Sequence, residues 1–441
     1  MKTSTRWLIV VLAAAVILPG CRRKVDSLVI ISPHNKYIQE EFERAFSEYH
    51  RSKYGRPVKI EWRDVGGGGS KIFDYLRNVY SRAGESEMKI DIVWGGGEDI
   101  YMRMAAEGIL RPMKIDDDAK ANIPATFGGL EMYDPKGYWC GTAISGFGIL
   151  YNADRLKRLN VPAPKLWQEM GSGAMFDLVA LADPMQSASA AAAYEAIVQS
   201  GKDWPDGWGK LLGIMGNASR FYDGASGAAD AVITDAPVAT CVDFYGFMRA
   251  AQHKELVYHS PKGQTIFNPD PIGILKNPPH PELAQRFVDF VLSRQGQALL
   301  ALPPGQPDGP RKDALMRQPI RKDVYTHYAG KLLPLVISPY EAGNEMAIDA
   351  EARKVRYGVL RFLIRAAAID NADGLKKAKK KLIDSGFAKD LLEQFDALPP
   401  NVQSVDGLRE VAGKLTDATE NERIVTDWQR FFRDKYRRMT Q

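Results

Sequence analysis

One local pattern recurs through the first hundred residues and narrows the folds open to this chain: a short apolar run, a turn of small residues, then a helical stripe. Leu28 to Ser32 reads as a buried strand, Pro33-His34-Asn35 breaks it, and Ile38, Phe42, Ala45, Phe46 and Tyr49 follow at helical spacing. Val58 to Val65 alternates like a half-buried strand, meets Gly66-Gly67-Gly68-Gly69-Ser70, and leads into Ile72, Phe73, Leu76 and Val79. Ile90 to Trp94 is a third strand, followed by Gly95-Gly96-Gly97 and a helix through Tyr101, Met104 and Ala105. Strands alternating with helices predict an α/β fold, a mostly parallel sheet wrapped on both faces. In such sheets the carboxyl ends of the strands line one crevice. Ser32, His34, Asn35, Gly67, Gly68, Trp94, Gly95 and Gly96 are therefore expected there together.

Val179 to Gln199 repeats the pattern once more, with an apolar run ending at Asp183-Pro184 and an Ala-rich helix beginning after Ser187 and Ser189. Free N–H groups and the positive end of the helix dipole suit an anionic ligand there. Ser187 and Ser189 serve equally well as caps. Before this unit, Gly137 to Tyr151 is a long, glycine-rich extended stretch suited to crossing between lobes. A second α/β unit spans about Asp154 to His253, with a strand expected at Ala231 to Asp235, and Ile266 to Leu275, interrupted by Asn268-Pro269-Asp270-Pro271, reads as the return crossing. Two lobes joined by two extended segments make a hinged clamp. The expected boundaries are residues 27–142 with 267–338 for one lobe, 143–266 for the other, and 339–441 for a helical C-terminal extension. Glu282 to Leu302 reads as one helix.

The N-terminus reads as a secretory signal with a lipobox over residues 1–21. Lys2 and Arg6 precede an apolar run, and Leu18-Pro19-Gly20-Cys21 resembles the site where cleavage leaves a lipidated cysteine. The expected address is the periplasm or cell surface, tethered to membrane through Cys21. Cys140 and Cys241 are then either one disulfide or two buried thiols. The net charge of +5 falls by two without Lys2 and Arg6, too little to argue for nucleic acid. Lysines at 376, 377, 379, 380 and 381 fit a solvated helix face better than a lipid contact. Arg430 to Arg438, interleaved with Phe431, Phe432 and Tyr436, has a nucleic-acid texture that the exported address contradicts.

No His-Glu-x-x-His, Cys-x-x-Cys or Gly-x-Ser-x-Gly occurs, and Gly66 to Lys71 lacks the Gly-Lys-Ser/Thr ending of a phosphate loop. No enzyme activity and no cofactor are expected. Among six histidines only His34 sits at a strand end on the crevice. Asp243-Phe244-Tyr245 offers a carboxylate and a phenol, for an organic ligand or for a ferric ion. An exported enzyme acting on a phosphorylated or sugar substrate is the competing reading, with Asp235, Asp243 and Asp270 as paired carboxylates. A sensory or scaffolding lipoprotein using the C-terminal helices is a third.

Ile31-Ser32-Pro33-His34-Asn35, Asp91-Ile92-Val93-Trp94, Ser145 to Asn152, Ala182-Asp183-Pro184, Asp243-Phe244-Tyr245, Asn268 to Pro271 and Leu283 to Phe290, in that order, resemble the bacterial extracellular solute-binding proteins of ATP-driven importers. The resemblance is to the group containing ferric-iron-binding and related anion-binding receptors, and it covers roughly Leu28 to Tyr340. It implies a type II periplasmic-binding-protein clamp that hands a small solute to the membrane subunits of an ABC permease. It also implies a histidine, a carboxylate and two adjacent tyrosines around ferric iron, with an anion at a helix start. His34 and Tyr245 match as metal ligands, and Ser187 and Ser189 match the anion seat. Phe244 replaces one tyrosine and Gly95 the carboxylate, which ranks a phosphate-bearing, phosphonate or carboxylate solute above iron. Ligand contacts are thus expected from Ser32, His34, Asn35, Gly67, Gly68, Trp94, Gly95, Gly96, Ser187, Ser189, Asp235, Asp243, Tyr245 and Asp270.

Overall fold

The computed structural model describes residues 25–82 and 89–441, so the expected signal and Cys21 lie outside the described residues. Strand β1 (Asp26–Ile31) ends in four buried apolar residues, and Asn35 caps helix α1 (Lys36–Tyr54) by accepting from the Ile38 N–H. Ile38, Phe42 and Phe46 face the sheet, and the helix stops at Gly55, whose φ of 74° suits a residue with no Cβ. Then come β2 (Val58–Arg63), α2 (Gly69–Arg82), β3 (Ile92–Trp94) and α3 (Glu98–Ala106). β1 pairs in parallel with both β2 and β3, as the alternation predicted.

Strand β4 (Cys140–Asn152) carries the chain across. A second run follows: β5 (Val179–Ala182), α4 (Ala188–Gln199), α5 (Trp204–Met215), β6 (Ala218–Tyr222), α6 (Ala225–Thr234), β7 (Val238–Val242), α7 (Asp243–Gln252) and β8 (Leu256–His259). β5 lies parallel to β6 and β7. The return strand β9 (Phe267–Leu275) pairs antiparallel with β4 from Cys140 to Gly146 and with β3. The remainder of β4, Phe147 to Asn152, pairs antiparallel with β7 and β8. One strand thus belongs to both lobes, with its first half in one sheet and its second half in the other.

Two local expectations fail. Ala231 to Thr234 is the end of helix α6, not a strand, because Ala228, Ala229 and Val232 share its buried face. The strand comes later, at Val238–Val242, where all five residues are buried. Glu282 to Leu302 is two helices, α8 (Pro281–Leu292) and α9 (Arg294–Ala301). Between them, extended Ser293 caps the second by accepting from the Gly296 N–H.

A short strand, β10 (Gln318–Pro319), pairs with β4 before the chain enters α10 (Ala350–Ile364), α11 (Ala372–Asp384), α12 (Lys389–Asp396), α13 (Val405–Lys414) and α14 (Ala418–Thr440). These helices enlarge the second lobe's core. Leu363, Leu382, Trp428, Phe432 and Tyr436 join one buried cluster with Leu181, Tyr194, Trp208 and Leu212. Phe432 and Tyr436 are therefore structural. Lys379 is buried and donates to the Gly171 carbonyl, whereas Lys376 pairs with Asp177 at the surface. Cys140 and Cys241 are free, buried thiols. Cys241 lies opposite Gly148, eight residues along β4 from Cys140, which in an extended strand is about 26 Å, far beyond disulfide reach. Among the described residues, no helix is long and apolar enough to cross a membrane.

Candidate functional site

The glycine turns of the first lobe meet as expected. A Cβ on Gly69 would fall 2.3 Å from the Gly96 carbonyl, and one on Gly95 would fall 2.9 Å from the His34 ring. Gly95, Gly96 and Gly97 all have positive φ, near 91°, 104° and 87°, a run that side chains would strain. Packed backbone to backbone, these turns leave one wall of a cleft of about 340 Å³, within the range of small-ligand sites.

The cleft floor is the hinge. Asp270, in the return strand, binds His34 Nε2 through Oδ2 at 2.8 Å and accepts the Gly96 N–H through Oδ1 at 3.2 Å. The Arg317 guanidinium reaches the same Oδ2 at 2.8 Å. Burial alone would raise the Asp270 carboxyl, but Arg317 and His34 outweigh it and hold it well below the usual carboxylate range. His34 spends its other nitrogen on Ser32 Oγ at 3.0 Å. Arg317 lies over the Phe244 ring at 4.7 Å, and its side chain is 6% exposed. Its Nε has no protein partner, although it is buried and the residue lines the cleft. Met316, just before it, sits at φ 53°, a left-handed conformation of the sort that costs about 1–3 kcal/mol and that clusters where a side chain must be aimed.

The second lobe supplies helix starts. Ser187 Oγ accepts from the Ala190 N–H and so caps α4, which leaves the Ala188 and Ser189 N–H groups without that acceptor. Gly224 begins α6 with no side-chain cap. Both starts line the cleft, together with Phe244 and Tyr245. Burial pushes the Tyr245 phenol up despite Arg317 and Arg249. A further wall comes from helix α10, which brings Tyr357 and Arg361 to the cleft.

Of the residues expected at the site, His34, Gly68, Gly96, Ser187, Ser189, Tyr245 and Asp270 line the cleft. The others do different work. Ser32 is buried beneath His34, Asn35 caps α1, and Trp94 donates its indole N–H to Thr142 Oγ1 at 2.8 Å. Gly67 and Gly95 shape their turns from outside the lining. Asp235 ends α6 and accepts from the Tyr222 hydroxyl, away from the cleft. Asp243 is 2% exposed and clasps the hinge, accepting from the N–H groups of Gly146 at 2.6 Å and Phe244 at 2.7 Å and from Gln318. Burial raises its carboxyl to about 6, against those bonds and Arg317. Asp235, Asp243 and Asp270 therefore do not form a paired-carboxylate site. Among the described residues no group of His, Cys, Asp or Glu converges to hold a metal ion.

Several lining residues were not expected: Arg317, Arg361, Tyr357, Ser145, Ser226, Glu98 and Asp99. Arg317 follows a proline-rich turn with no motif around it, and Arg361 lies in a charged helix far along the chain. Glu98 and Asp99 follow the triple glycine directly, so their place at the rim was within reach of the strand-turn-helix reading.

The family model for bacterial extracellular solute-binding proteins matches residues 87–319, more than half of the chain. This chain belongs to that family. The solute-binding protein has curated relatives that it matches over a shorter stretch. Phosphoglycerate transport regulatory protein PgtC of Salmonella typhimurium is 30% identical over 189 residues, 40% of this chain and 47% of that one. The chain thus spans about half the length of that relative, and the same figures hold for PgtC of Salmonella typhi. Among solved structures, the periplasmic binding protein AfuA from Actinobacillus pleuropneumoniae, with fructose-6-phosphate bound, is 18% identical with a TM-score of 0.59, covering 81% of this chain and 98% of its own. Iron-bound HitA from Pseudomonas aeruginosa is 17% identical with a TM-score of 0.54, over 73% and 95%. At these identities the solute-binding protein shares their type II clamp fold.

Proposed function

We propose that this solute-binding protein captures a small phosphorylated organic anion between its lobes and delivers it to the membrane subunits of an ATP-driven importer, held at the membrane by a lipidated Cys21. The observation that carries the reading is Arg317: a buried guanidinium at the cleft floor with an N–H that no protein atom satisfies. An unmet buried donor costs about 1–3 kcal/mol, which a ligand oxygen recovers. The uncapped start of α6 and the free first turn of α4 add dipoles of the same sign. Asp99, whose carboxyl is pushed up by burial and then by Glu98, supplies a polar partner for a ligand hydroxyl. The names of PgtC and of the fructose-6-phosphate complex support the same ligand class, a phosphate ester bearing hydroxyl or carboxylate groups.

The ferric reading finds less support. His34 has both ring nitrogens engaged, by Ser32 and Asp270, and Phe244 offers no phenolate. Thermal unfolding in the presence of 3-phosphoglycerate, fructose 6-phosphate, inorganic phosphate and ferric citrate tests the proposal. At a hundredfold excess over Kd, a true ligand adds about 2.7 kcal/mol and raises the midpoint. A rise with the phosphate esters is expected. Folded protein whose midpoint moves with none of them, or with ferric citrate alone, refutes the proposal.

A further inference from the structure

The C-terminal extension does more than thicken the second lobe, because one of its side chains stands in the ligand cleft. Helix α10 is pinned on both sides. Arg356 pairs with Glu195 of α4 at 3.1 Å, and Arg353 pairs with Glu98 of α3, across the cleft, at 2.5 Å. Both acids are buried, so these ties fix the helix axis and its rotation. On the face so presented, Tyr357 donates to the Ala188 carbonyl and Arg361 donates through Nε to the Pro184 carbonyl at 2.9 Å. A second contact, from Arg361 to the Met185 carbonyl, is longer at 3.4 Å.

Those two carbonyls belong to the turn that leads into α4. They orient the Arg361 guanidinium without neutralising it, since no carboxylate lies within ion-pair distance of Arg361 among the described residues. Asp99 is the acid that senses it electrostatically, and burial keeps that carboxyl raised. A cation held rigidly beside a helix start, with both facing one cleft, places two positive fields side by side, while of the acids in the same lining Glu98 is paired with Arg353 and Asp99 makes no ion pair with Arg361. A planar guanidinium with free N–H groups also matches the oxygens of a phosphate or carboxylate better than an ammonium does.

We infer that Arg361 is a specificity-determining residue of the ligand site, contributed by the C-terminal extension, and that it binds the anionic group seated at the start of α4. The inference rests on the phosphorylated-anion reading above. It distinguishes this chain from a clamp built only of two lobes, because the third wall recognises charge.

Calorimetric titration of the full mature chain with 3-phosphoglycerate, fructose 6-phosphate and inorganic phosphate tests it. Arg361→Gln is expected to weaken the best of these probes at least tenfold, and Arg361→Lys to recover only part of the loss. Lys354→Gln, on the exposed face of the same helix, should leave affinity unchanged. Circular dichroism and the ligand-free unfolding midpoint establish that each variant is folded. Binding by Arg361→Gln within twofold of the parent overturns the inference and leaves the ligand class standing. Should the parent itself bind none of the probes, the ligand class fails and the role of Arg361 fails with it.

Discussion

Asp270 carries its charge in a place where burial alone would remove it. The Arg317 guanidinium and the His34 ring keep the carboxylate ionised, and the Gly96 N–H occupies its second oxygen. Folded, the group titrates well below the ordinary value of about 3.9, so above that value it stabilises the native state fully. The contribution is lost as pH falls through about 4 toward the depressed folded value. Asp270→Asn leaves Arg317 buried without its counter-ion and should cost about 3 kcal/mol or more in urea unfolding at neutral pH. The gap between variant and parent should narrow as the pH is lowered below 4. A gap that stays constant across that window refutes the charge argument. His34 was legible in the sequence as a strand-end residue facing the crevice. Its partners were not, because Asp270 and Arg317 are 236 and 283 positions away and only the folded hinge brings them to it.

At the scale of elements, the strand-turn-helix units were readable because each carries its own local signals: an apolar run, a glycine turn and a helical stripe. The long β4 was readable for the same reason, as an extended stretch with no helical period. Ala231 to Asp235 misled, since Val232, Ile233 and Thr234 have strand propensity and packing decided otherwise. Helix α10 shows what local signals omit. Its Arg353 and Arg356 read as an ordinary charged face, yet they find buried acids on opposite lobes. Glu98→Gln, Arg353→Gln and the double variant, measured by chemical denaturation, should show this. Each single change is expected to cost about 3 kcal/mol, and the double variant less than the sum. Costs that add within about 0.5 kcal/mol mean that the two side chains do not depend on each other.

For the molecule as a whole, the C-terminal helices are continuous with the second lobe. Phe432 packs against Trp208 at 5.9 Å between ring centroids, and the Trp204 indole donates to the Val402 carbonyl at 2.6 Å. Phe432→Ala should therefore destabilise the protein by about 3–5 kcal/mol, the cost of emptying a core aromatic site. Hydrogen exchange should then show α5 losing protection before β1 to β3 of the first lobe. Equal loss in both lobes, or none, contradicts that placement.

By itself the sequence determined that strands and helices alternate, that glycine turns end the strands, that two extended passages join two lobes and that the whole is an α/β clamp. These properties are periodic or local, and each stretch carries its own evidence. The tertiary structure alone decided which side chains share the cleft. That choice depends on register in β4 and β9, on the hinge that sets Arg317 against Asp270, and on helices beyond residue 349 that return to cover the second lobe. Contacts between residues hundreds of positions apart leave no mark in the spacing of either partner, so no pattern along the chain announces them.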